Sequence, residues 1–364
     1  MTNKEYLQIL SHFDLEEKAI EATPFGNGHI NDTLMVATSS GIAKYVLQRI
    51  NHHIFTNVEM LQNNIQIVTT HIREKLEERN ETDIDRKVLT FLPTKEGKPY
   101  YHDGENYWRV CRMIPNSKSL EEVTPELSYE AGKAFGEFQS MLADIPEGVI
   151  GETIPNFHNM TFRLQQFRDA IKTNAAGRLD DVKDLVDEVE KCAEPMALLI
   201  DGLYSDGKLK KRINHCDTKV NNILFDNDSG KVLCVIDLDT VMPGFVLSDI
   251  GDFIRTGANT GAEDDPDLNR VNVNLDIFKA YTRGYMETAQ SFLTPVEISL
   301  LPFGGQLLTC MQTVRFFTDY LNGDTYYKIH HPEHNLQRTK AQFKLLQSLK
   351  EHAAEMNDFM KEWL

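Results

Sequence analysis

The chain has 364 residues, of which 41 % are hydrophobic, and a formal net charge of −17. This length predicts two domains rather than one small one. The strong negative charge excludes most nucleic-acid-binding proteins, which need a basic surface, so we expect no nucleic acid partner. A phosphorylated small molecule remains compatible, because it requires positive charge only locally.

The sequence also predicts a cytoplasmic protein without a membrane partner. It contains no run of about eighteen apolar residues that could form a transmembrane helix. Its N-terminal segment alternates charged and apolar residues, unlike a secretory signal. The 5 cysteines are scattered and form no Cys-x-x-Cys pair, which is typical of reduced thiols. We further expect a monomer.

Short β-like segments dominate the chain before residue 115. They are rich in Val, Ile, Thr and Tyr and cover Ala19–Phe25, Asp32–Thr38, Lys44–Ile50, Lys87–Leu92 and Tyr107–Ile114. One long helical pattern, Asn57–Glu78, interrupts them. This order predicts a β-rich N-terminal domain over residues 1–115.

Residues 116–364 are predicted to be mainly helical. The first helix begins at Thr124 and Pro125, a typical cap and first helical residue. Further helical patterns cover Met160–Thr173, Arg178–Leu203, Val273–Ser291, Thr294–Gly323 and Gln337–Leu364. The predicted fold class is therefore α+β, with a β-rich lobe, a connection near Met113–Ser119 and a larger helical lobe.

Gly26 and Gly28 lie between the first two predicted strands. Two glycines so spaced let backbone N–H groups approach a phosphate without interference from a Cβ atom. Most such pairs form only a hairpin turn, and the third glycine of a dinucleotide-binding fingerprint is absent. The pair alone leaves both interpretations open.

A denser group of polar residues occurs in "INHCDTKVNNILFD", residues 213–226. Asp217 could accept a proton from an alcohol, Lys219 could neutralise a migrating phosphoryl group, and Asn222 could offer its carbonyl oxygen to Mg²⁺. Asp237 ends the following apolar segment, where a buried acid is unfavourable unless a cation lies beside it. The spacing therefore indicates phosphoryl-transfer chemistry.

Two other interpretations of these acids remain open from the residues alone. His215 and Asp217, with Asp237 and Asp239, could form a two-metal hydrolase site, although such sites usually contain more His residues. Each polar residue taken singly could also belong to a structural turn or helix cap. The combination of Asp217, Asn222 and Asp237, each beside an apolar strand-like segment, is much harder to explain as structure alone.

The segments "HCDTKVNNIL" and "IDLDTVMPG" resemble the aminoglycoside phosphotransferase and choline kinase branch of the protein-kinase-like fold. The Gly-x-Gly loop, helix, hinge strand, catalytic loop and metal-binding Asp occur in the order of that family along essentially the whole chain. The segments "GNGHIN", "GDFIRTGA", "TVRFFTDYL", "GDTYY" and "PEHNLQRT" are similar to bacterial N-acetylhexosamine 1-kinases. The resemblance implies a two-lobed kinase-like fold with ATP bound between the lobes.

The resemblance also implies roles for the matching residues. Asp217 would be the catalytic acid–base residue, assisted by Lys219, and Asn222 and Asp237 would hold Mg²⁺ on the nucleotide phosphates. The residues that would contact the nucleotide itself are Gly26, Gly28, Gln48, Met113 and Ile114, the last two through backbone groups facing adenine.

The acceptor implied by the resemblance is the anomeric hydroxyl of N-acetylglucosamine or N-acetylgalactosamine, with the sugar 1-phosphate as product. His29, Arg315 and Tyr326 would contact this sugar. Pairing of Arg315 with Asp319, one helical turn on, is an alternative structural explanation. Another small alcohol, such as an aminoglycoside, choline or methylthioribose, could be the acceptor instead, or the chain could be a catalytically silent nucleotide-binding module.

One position departs from the family pattern. Related kinases carry a Lys on the third strand that contacts the nucleotide phosphates, whereas this sequence has Gln48 there. Arg49 should point to the opposite face of the strand. Either Gln48 binds the phosphate weakly, or Arg49 or Lys44 reaches it. The identity of the phosphate-binding cation is therefore left open.

The acidic segment "GAEDDPDLN" predicts either a solvated loop or a surface that attracts a cationic aminoglycoside.

Overall fold

The computed structural model describes residues 1–26 and 30–364, which form two compact units. The first unit comprises residues 1–120, 144–155 and 221–242, and the second comprises residues 121–143, 156–220 and 243–364. The first unit thus extends slightly beyond the expected boundary at residue 115 and includes two later segments. These segments belong to it because residues 224–226 pair with residues 117–119 and because Nδ2 of Asn64 donates a hydrogen bond to the carbonyl of Gly151.

Eleven strands occur in the described chain: β1 (Ala19–Pro24), β2 (Asp32–Thr38), β3 (Ala43–Ile50), β4 (Phe91–Leu92), β5 (Tyr101–His102), β6 (Tyr107–Arg112), β7 (Ser117–Ser119), β8 (Arg212–Asn214), β9 (Ile223–Asp226), β10 (Val232–Val235) and β11 (Met242–Gly244). In the first unit an antiparallel sheet has the order β1-β2-β3-β6-β4, with β5 also paired to β6. A second sheet there has the order β10-β9-β7. A third, two-stranded sheet is formed by β8 and β11.

Ten α-helices occur in the described chain: α1 (Asn3–Leu10), α2 (Val58–Glu78), α3 (Pro125–Leu142), α4 (Met160–Thr173), α5 (Lys183–Ser205), α6 (Leu247–Gly257), α7 (Leu275–Ala289), α8 (Pro295–Leu321), α9 (His334–Glu351) and α10 (Ala353–Met360). The first two belong to the first unit and the others to the second. Within these described residues no helix combines the length and apolarity that crossing a bilayer requires. The α+β architecture with a β-rich N-terminal part and a helical C-terminal part is as predicted.

The core of the first unit lies on one face of the large sheet. Alternate residues of neighbouring strands, such as Leu34, Leu47 and Val110, are at most 3 % exposed and pack there. Helix α1, which the sequence interpretation did not include, contributes Leu10 to the same cluster. Trp108 is 1 % exposed within this cluster. Because side chains alternate along a strand, the residues between these positions face the opposite side of the sheet.

The helical second unit depends on close approach between α3 and α7. A Cβ atom at Gly132 would lie 2.0 Å from the carbonyl oxygen of Tyr281, and one at Gly284 would lie 1.9 Å from that of Tyr129. Glycine at both positions therefore lets the two helices pack backbone against backbone. Helix α7 stacks Tyr281 against Phe253 of α6 with ring centroids 3.7 Å apart.

The single C-terminal helix expected over Gln337–Leu364 is wrong. Helix α9 ends at Glu351 and α10 begins at Ala353. His352 between them has a ψ of 4°, and its ring Nδ1 lies 2.9 Å from the carbonyl oxygen of Ser348. The backbone amide of His352 still donates to the same carbonyl at 3.1 Å, so the interruption lies at His352 itself, where the backbone leaves the helical conformation.

Candidate active site

The loop that follows β8 carries Asp217 in the second unit. The Oδ1 atom of Asp217 lies 2.9 Å from Nζ of Lys219, so the predicted catalytic acid and the predicted cation form an ion pair. His215 is fully buried between the rings of Phe135 and Phe138, at centroid distances of 5.4 and 5.8 Å. Its Nδ1 accepts a hydrogen bond of 3.3 Å from the backbone amide of Asp217. His215 therefore shapes the loop, whereas Asp217 and Lys219 are partly exposed.

Helix α6 holds this loop in place through Asp249. Its carboxylate accepts hydrogen bonds from the backbone amides of His215 at 2.8 Å and Cys216 at 2.7 Å. Its backbone carbonyl accepts a bond of 2.6 Å from the hydroxyl of Thr218. Cys216 has a φ of 64°, a left-handed conformation that needs such support. The sequence analysis did not predict α6 or the role of Asp249, although both lie in or beside the segment "GDFIRTGA".

The carboxylate of Asp249 is completely buried, and burial raises its pKa to about 6. Gln139 of α3 donates a hydrogen bond of 2.8 Å to it from Nε2, and the hydroxyl of Tyr285 donates to Gln139 in turn. Hydrogen bonds from amides favour the charged carboxylate and oppose the effect of burial. The loop is thus connected to α3 and α7 through one buried polar network.

A second acid of α6, Asp252, connects the loop to a buried arginine. It accepts a bond of 3.1 Å from the backbone amide of Thr218 and pairs with Arg255 at 2.9 Å. Arg255 also pairs with Glu263 at 2.5 Å. Although burial opposes the charge of Lys219, Asp217 and Asp252 raise its pKa, so the lysine remains cationic. The side chain of Lys219 can therefore supply positive charge next to Asp217.

The two predicted metal ligands lie in neighbouring segments of the first unit. The backbone amide of Ile236, adjacent to Asp237, donates a hydrogen bond of 2.9 Å to the carbonyl of Asn222. Asn222 immediately precedes β9, and Asp237 follows β10, which pairs with β9. Asp237 has a φ of 60°, a left-handed conformation. One carboxylate and one amide oxygen suit Mg²⁺, which prefers hard oxygen ligands and keeps positions for phosphates and water.

Acidic and histidine side chains do not gather elsewhere into a metal site within the described residues. No group of three or more His, Cys, Asp or Glu residues with suitable placement is found there. The arrangement expected for a two-metal hydrolase is thus not found in that part of the chain. Asp239, which that interpretation required as a ligand, instead pairs with Arg109.

The side chains on β3 have distinct partners. Gln48 donates a hydrogen bond of 3.1 Å to the hydroxyl of Thr33 and accepts one of 2.9 Å from Nε of Arg109. Arg49 pairs with Asp32. The prediction that Gln48 and Arg49 face opposite sides of the strand is confirmed. Lys44, the other cation considered for the nucleotide phosphates, pairs with Glu17.

The predicted nucleotide loop and hinge are described in part. Gly26 has a φ of 75°, which favours glycine, whereas Gly28 and His29 lie outside the described residues. The backbone amide of Met113 donates a bond of 2.8 Å to the carbonyl of Lys44. The carbonyl of Ile114 accepts a bond of 2.8 Å from the hydroxyl of Ser117 and keeps a second lone pair. The roles of these residues toward adenine stay predictions.

Arg315 lies on α8 and does not pair with Asp319. Asp319 instead accepts hydrogen bonds from the backbone amides of Thr325 at 2.9 Å, Tyr326 at 2.8 Å and Tyr327 at 2.9 Å. The predicted pairing of Arg315 with Asp319 is therefore wrong, because backbone amides of the loop after α8 donate to the Asp319 carboxylate. The same hydrogen bonds fix the loop that carries Tyr326. Tyr326 itself is 61 % exposed.

The guanidinium of Arg315 has aromatic and amide neighbours. Its central carbon lies 5.1 Å from the ring centroid of Phe157 and 5.8 Å from that of Tyr327, and Nη1 donates a bond of 3.0 Å to Gln312. Arg163 lies nearby and bonds the carbonyl of Phe157 at 3.2 and 3.3 Å. Burial and the charge of Arg315 lower the pKa of Arg163 to about 10. Neither arginine forms an ion pair with a carboxylate in the described chain.

His158 is a further residue that sequence reasoning missed. Its Nδ1 is buried and has no hydrogen-bond partner among the residues described. Burial, then Arg315, Arg255 and Arg163, lower the pKa of His158 well below its usual range, while Asp217 raises it. A neutral imidazole with an unused nitrogen therefore lies in the electrostatic surroundings of Asp217 and Arg315. The residue has no motif around it in the sequence that would have identified it.

The carboxylates of the acidic segment, residues 261–269, interact with other residues of the second unit. Glu263 pairs with Arg255, and Asp264 lies 2.7 Å from Nε2 of His334. The carboxylate of Asp265 accepts a hydrogen bond of 3.0 Å from the backbone amide of Asp267. The carboxylate of Asp267 accepts one of 3.1 Å from the backbone amide of Asn269. These carboxylates thus stabilise the loop and its neighbours.

Comparison with solved structures shows that the whole chain has a kinase-like fold. An aminoglycoside phosphotransferase from Alicyclobacillus acidocaldarius has a TM-score of 0.59 at 14 % identity, with 96 % of each chain covered. A spectinomycin phosphotransferase in complex with ADP and spectinomycin has a TM-score of 0.60 at 12 % identity, covering 98 % of this chain and 99 % of that one. A choline/ethanolamine kinase family protein from Mesorhizobium loti has a TM-score of 0.54 at 14 % identity, with full coverage of both.

The sequence also matches a family model. Residues 21–285 match the phosphotransferase enzyme family that contains aminoglycoside phosphotransferases. The chain therefore belongs to this family of small-molecule kinases, and the protein-kinase-like fold expected from the resemblance is confirmed.

Proposed function

We propose that the protein transfers the γ-phosphoryl group of ATP to the anomeric hydroxyl of N-acetylglucosamine or N-acetylgalactosamine. Family membership supports phosphoryl transfer to a small alcohol. The choice of a neutral sugar rests on one observation, which is the surroundings of Arg315. Two arginines without carboxylate partners in the described chain, Arg315 and Arg163, accompany the neutral His158 there.

This environment favours hydroxyl and carbonyl oxygens over cationic groups. Arginines whose charges already disfavour one another would repel the ammonium group of choline, ethanolamine or an aminoglycoside. The same guanidinium groups can donate paired hydrogen bonds to sugar hydroxyls or to the carbonyl of an N-acetyl group. The ring of Phe157 adds an apolar surface that suits the face of a sugar.

The acidic segment of residues 261–269 does not favour an aminoglycoside. Glu263 pairs with Arg255, and Asp264 lies 2.7 Å from Nε2 of His334, so both carboxylates already have partners. Asp265 and Asp267 are engaged in the turns of the same loop. A cationic antibiotic would therefore compete with existing interactions at this segment.

The proposed reaction forms a bond from the anomeric oxygen to the γ-phosphorus and breaks the bond from that phosphorus to the oxygen of ADP. The proton of the hydroxyl passes to the carboxylate of Asp217, which also orients the hydroxyl. An anomeric hydroxyl is more acidic than an ordinary alcohol, so a carboxylate can serve. Lys219, 2.9 Å from Asp217, stabilises negative charge on the transferred group.

Asn222 and Asp237 are the residues that would hold Mg²⁺. When bound, the ion would neutralise charge on the nucleotide phosphates. The sugar 1-phosphate and ADP are the products.

An ATP-consumption assay over a panel of acceptors tests this proposal. The panel contains both N-acetylhexosamines, choline, ethanolamine, spectinomycin and methylthioribose, with Asp217→Asn as the inactive control. We expect turnover with an N-acetylhexosamine to exceed that with every other acceptor. Preference for an amine would contradict the sugar assignment. ATP binding without turnover of any acceptor would support a silent nucleotide-binding module.

A further inference from the structure

Arg109 of β6 is the buried cation of the first unit that contacts β3. Its Nε donates a hydrogen bond of 2.9 Å to Oε1 of Gln48, its cross-strand neighbour. Its Nη1 pairs with Oδ1 of Asp239, whose other oxygen accepts from Nδ2 of Asn31. The central carbon of the guanidinium lies 5.4 Å from the ring centroid of Phe91. One guanidinium thus joins β3, the segment before β2 and the turn after β10.

Part of this guanidinium has no partner. The side chain of Arg109 is 3 % exposed, yet Nη2 takes part in no hydrogen bond or ion pair within residues 1–26 and 30–364. A guanidinium carries five N–H donors, so three of them remain available. Nη2 is not among the described side-chain atoms that are both fully enclosed and without a partner, so it is open to solvent and can donate to an oxygen-rich ligand. Although burial opposes it, Asp239 raises the pKa of Arg109, so the group stays charged.

The location of Arg109 fits the cation that the sequence lacks. Gln48 occupies the third-strand position at which related kinases are expected to carry Lys. Asp239 lies two residues after Asp237, the expected metal ligand. In protein kinases the third-strand Lys is itself held by an acidic partner while it contacts the phosphates. An ion pair with Asp239 is therefore compatible with phosphate binding.

We propose that Arg109 replaces the missing lysine and contacts the α- or β-phosphate of the bound nucleotide, oriented by Gln48 and Asp239. This inference rests on the use of ATP in the proposed function and is independent of the acceptor. It makes Arg109 a nucleotide-binding residue, whereas Arg49, on the other face of the sheet, pairs with an exposed Asp32 and has no such role.

The alternative is a purely structural Arg109–Asp239 ion pair. Removing only the arginine would leave the buried Asp239 without its cation and could unfold the unit. The double variant Arg109→Met/Asp239→Asn removes both charges together and keeps similar side-chain volumes. This variant distinguishes the two roles. Loss of a phosphate contact weakens ATP binding but leaves adenosine binding intact, whereas loss of a structural ion pair weakens both.

Calorimetric titration with ATP and with adenosine, together with thermal unfolding, provides the test. The variants are Arg109→Met, Arg109→Lys, the double variant and Arg49→Met as the matched control. We expect Arg109→Met and the double variant to bind ATP roughly 10–100-fold more weakly while adenosine affinity is unchanged. Arg109→Lys should retain more affinity than Arg109→Met, and Arg49→Met should match the wild type.

Adding Gln48→Lys to the double variant should restore ATP affinity, since it returns the usual cation to the third strand. Wild-type ATP affinity in the well-folded double variant would overturn the inference, as would equal weakening of ATP and adenosine. In both cases the wild type still binds ATP, so the proposed function survives. A wild type that binds no ATP would overturn the inference and the proposed function together.

Discussion

The carboxylate of Asp249 accepts a hydrogen bond of 2.7 Å from the backbone amide of Cys216. Cys216 adopts a left-handed conformation immediately before Asp217, so this bond helps to fix the direction in which Asp217 points. Because Asp249 is fully buried on α6, the position of the loop of residues 215–218 depends on a helix that follows it in the chain.

The stability of the protein should depend on pH through Asp249. Burial raises its pKa to about 6, whereas the unfolded chain has the ordinary value near 4. The folded state therefore holds this proton more tightly, and the carboxyl destabilises the fold most above about pH 6 and least below about pH 4. Relative to Asp249→Asn, the wild-type free energy of unfolding should rise by roughly 1–3 kcal/mol as the pH falls across this window.

Urea unfolding of both proteins on the two sides of that window measures this difference. Other titratable groups are common to both proteins, so their effects cancel in the comparison. A difference in unfolding free energy that stays constant with pH would mean that the folded and unfolded values of the Asp249 pKa are the same.

Asp217→Asn should reduce kcat by roughly 10²-fold or more, because the amide cannot accept the proton of the acceptor hydroxyl. ATP affinity should change little, since the proposed role of Asp217 is toward the acceptor and not the nucleotide. Steady-state kinetics with calorimetry of ATP binding measure both quantities. Asp206→Asn, which changes an exposed acid paired with Lys208, is the matched control and should behave as the wild type. A variant at position 217 that retains a third of the wild-type turnover would remove Asp217 from the mechanism.

Asp237→Ala should abolish the part of ATP binding that depends on Mg²⁺, because the ion loses its anionic ligand. Asn222→Ala should weaken it less, since a neutral amide oxygen is removed. Titrations with ATP in the presence of Mg²⁺ and of a chelator distinguish the metal-dependent part. Affinity equal to that of the wild type in Mg²⁺ for Asp237→Ala would show that this carboxylate does not hold the ion.

Arg315→Ala should raise the sugar KM by roughly 10–100-fold and leave ATP affinity unchanged, because the sugar loses charge-assisted hydrogen bonds. Arg283→Ala is a suitable control, since Arg283 also stacks on an aromatic ring, Phe359, at 5.0 Å. Both variants need a thermal unfolding measurement, so that instability is not mistaken for lost binding. A folded Arg315→Ala protein with the wild-type sugar KM would show that this arginine does not contact the sugar.

Elements with regular patterns were predictable from sequence. Strand β2 and helix α4 have the predicted bounds, because a short apolar run flanked by Thr marks the strand and Asn159 caps the helix at Phe162. Helix α6 was missed because it is short and carries two acids and two glycines among its 11 residues. Those acids point to backbone amides of a distant loop, which periodicity does not reveal.

The candidate site was predictable only where a motif carries the chemistry. The spacing of Asp217, Asn222 and Asp237 is local, so it singled out the loop after β8 and the turn after β10 as candidates, and their roles stay predictions. The partners of Arg109 depend on strand register and on Asp239, 130 residues later in the chain. The pairing expected between Arg315 and Asp319 was wrong because backbone amides of residues 325–327 take the carboxylate. Such competition follows from folding of the loop and not from helical spacing.

Analysis of the reaction product by ³¹P nuclear magnetic resonance tests the proposed function most directly. The protein is incubated with ATP, Mg²⁺ and N-acetylglucosamine or N-acetylgalactosamine, and Asp217→Asn is run in parallel. We predict a new phosphate monoester whose phosphorus is coupled to the anomeric proton of the sugar, formed by the wild type and nearly absent with the variant. A phosphate on any other hydroxyl, or no sugar phosphate from a well-folded protein that phosphorylates an amino alcohol instead, would contradict the proposed function.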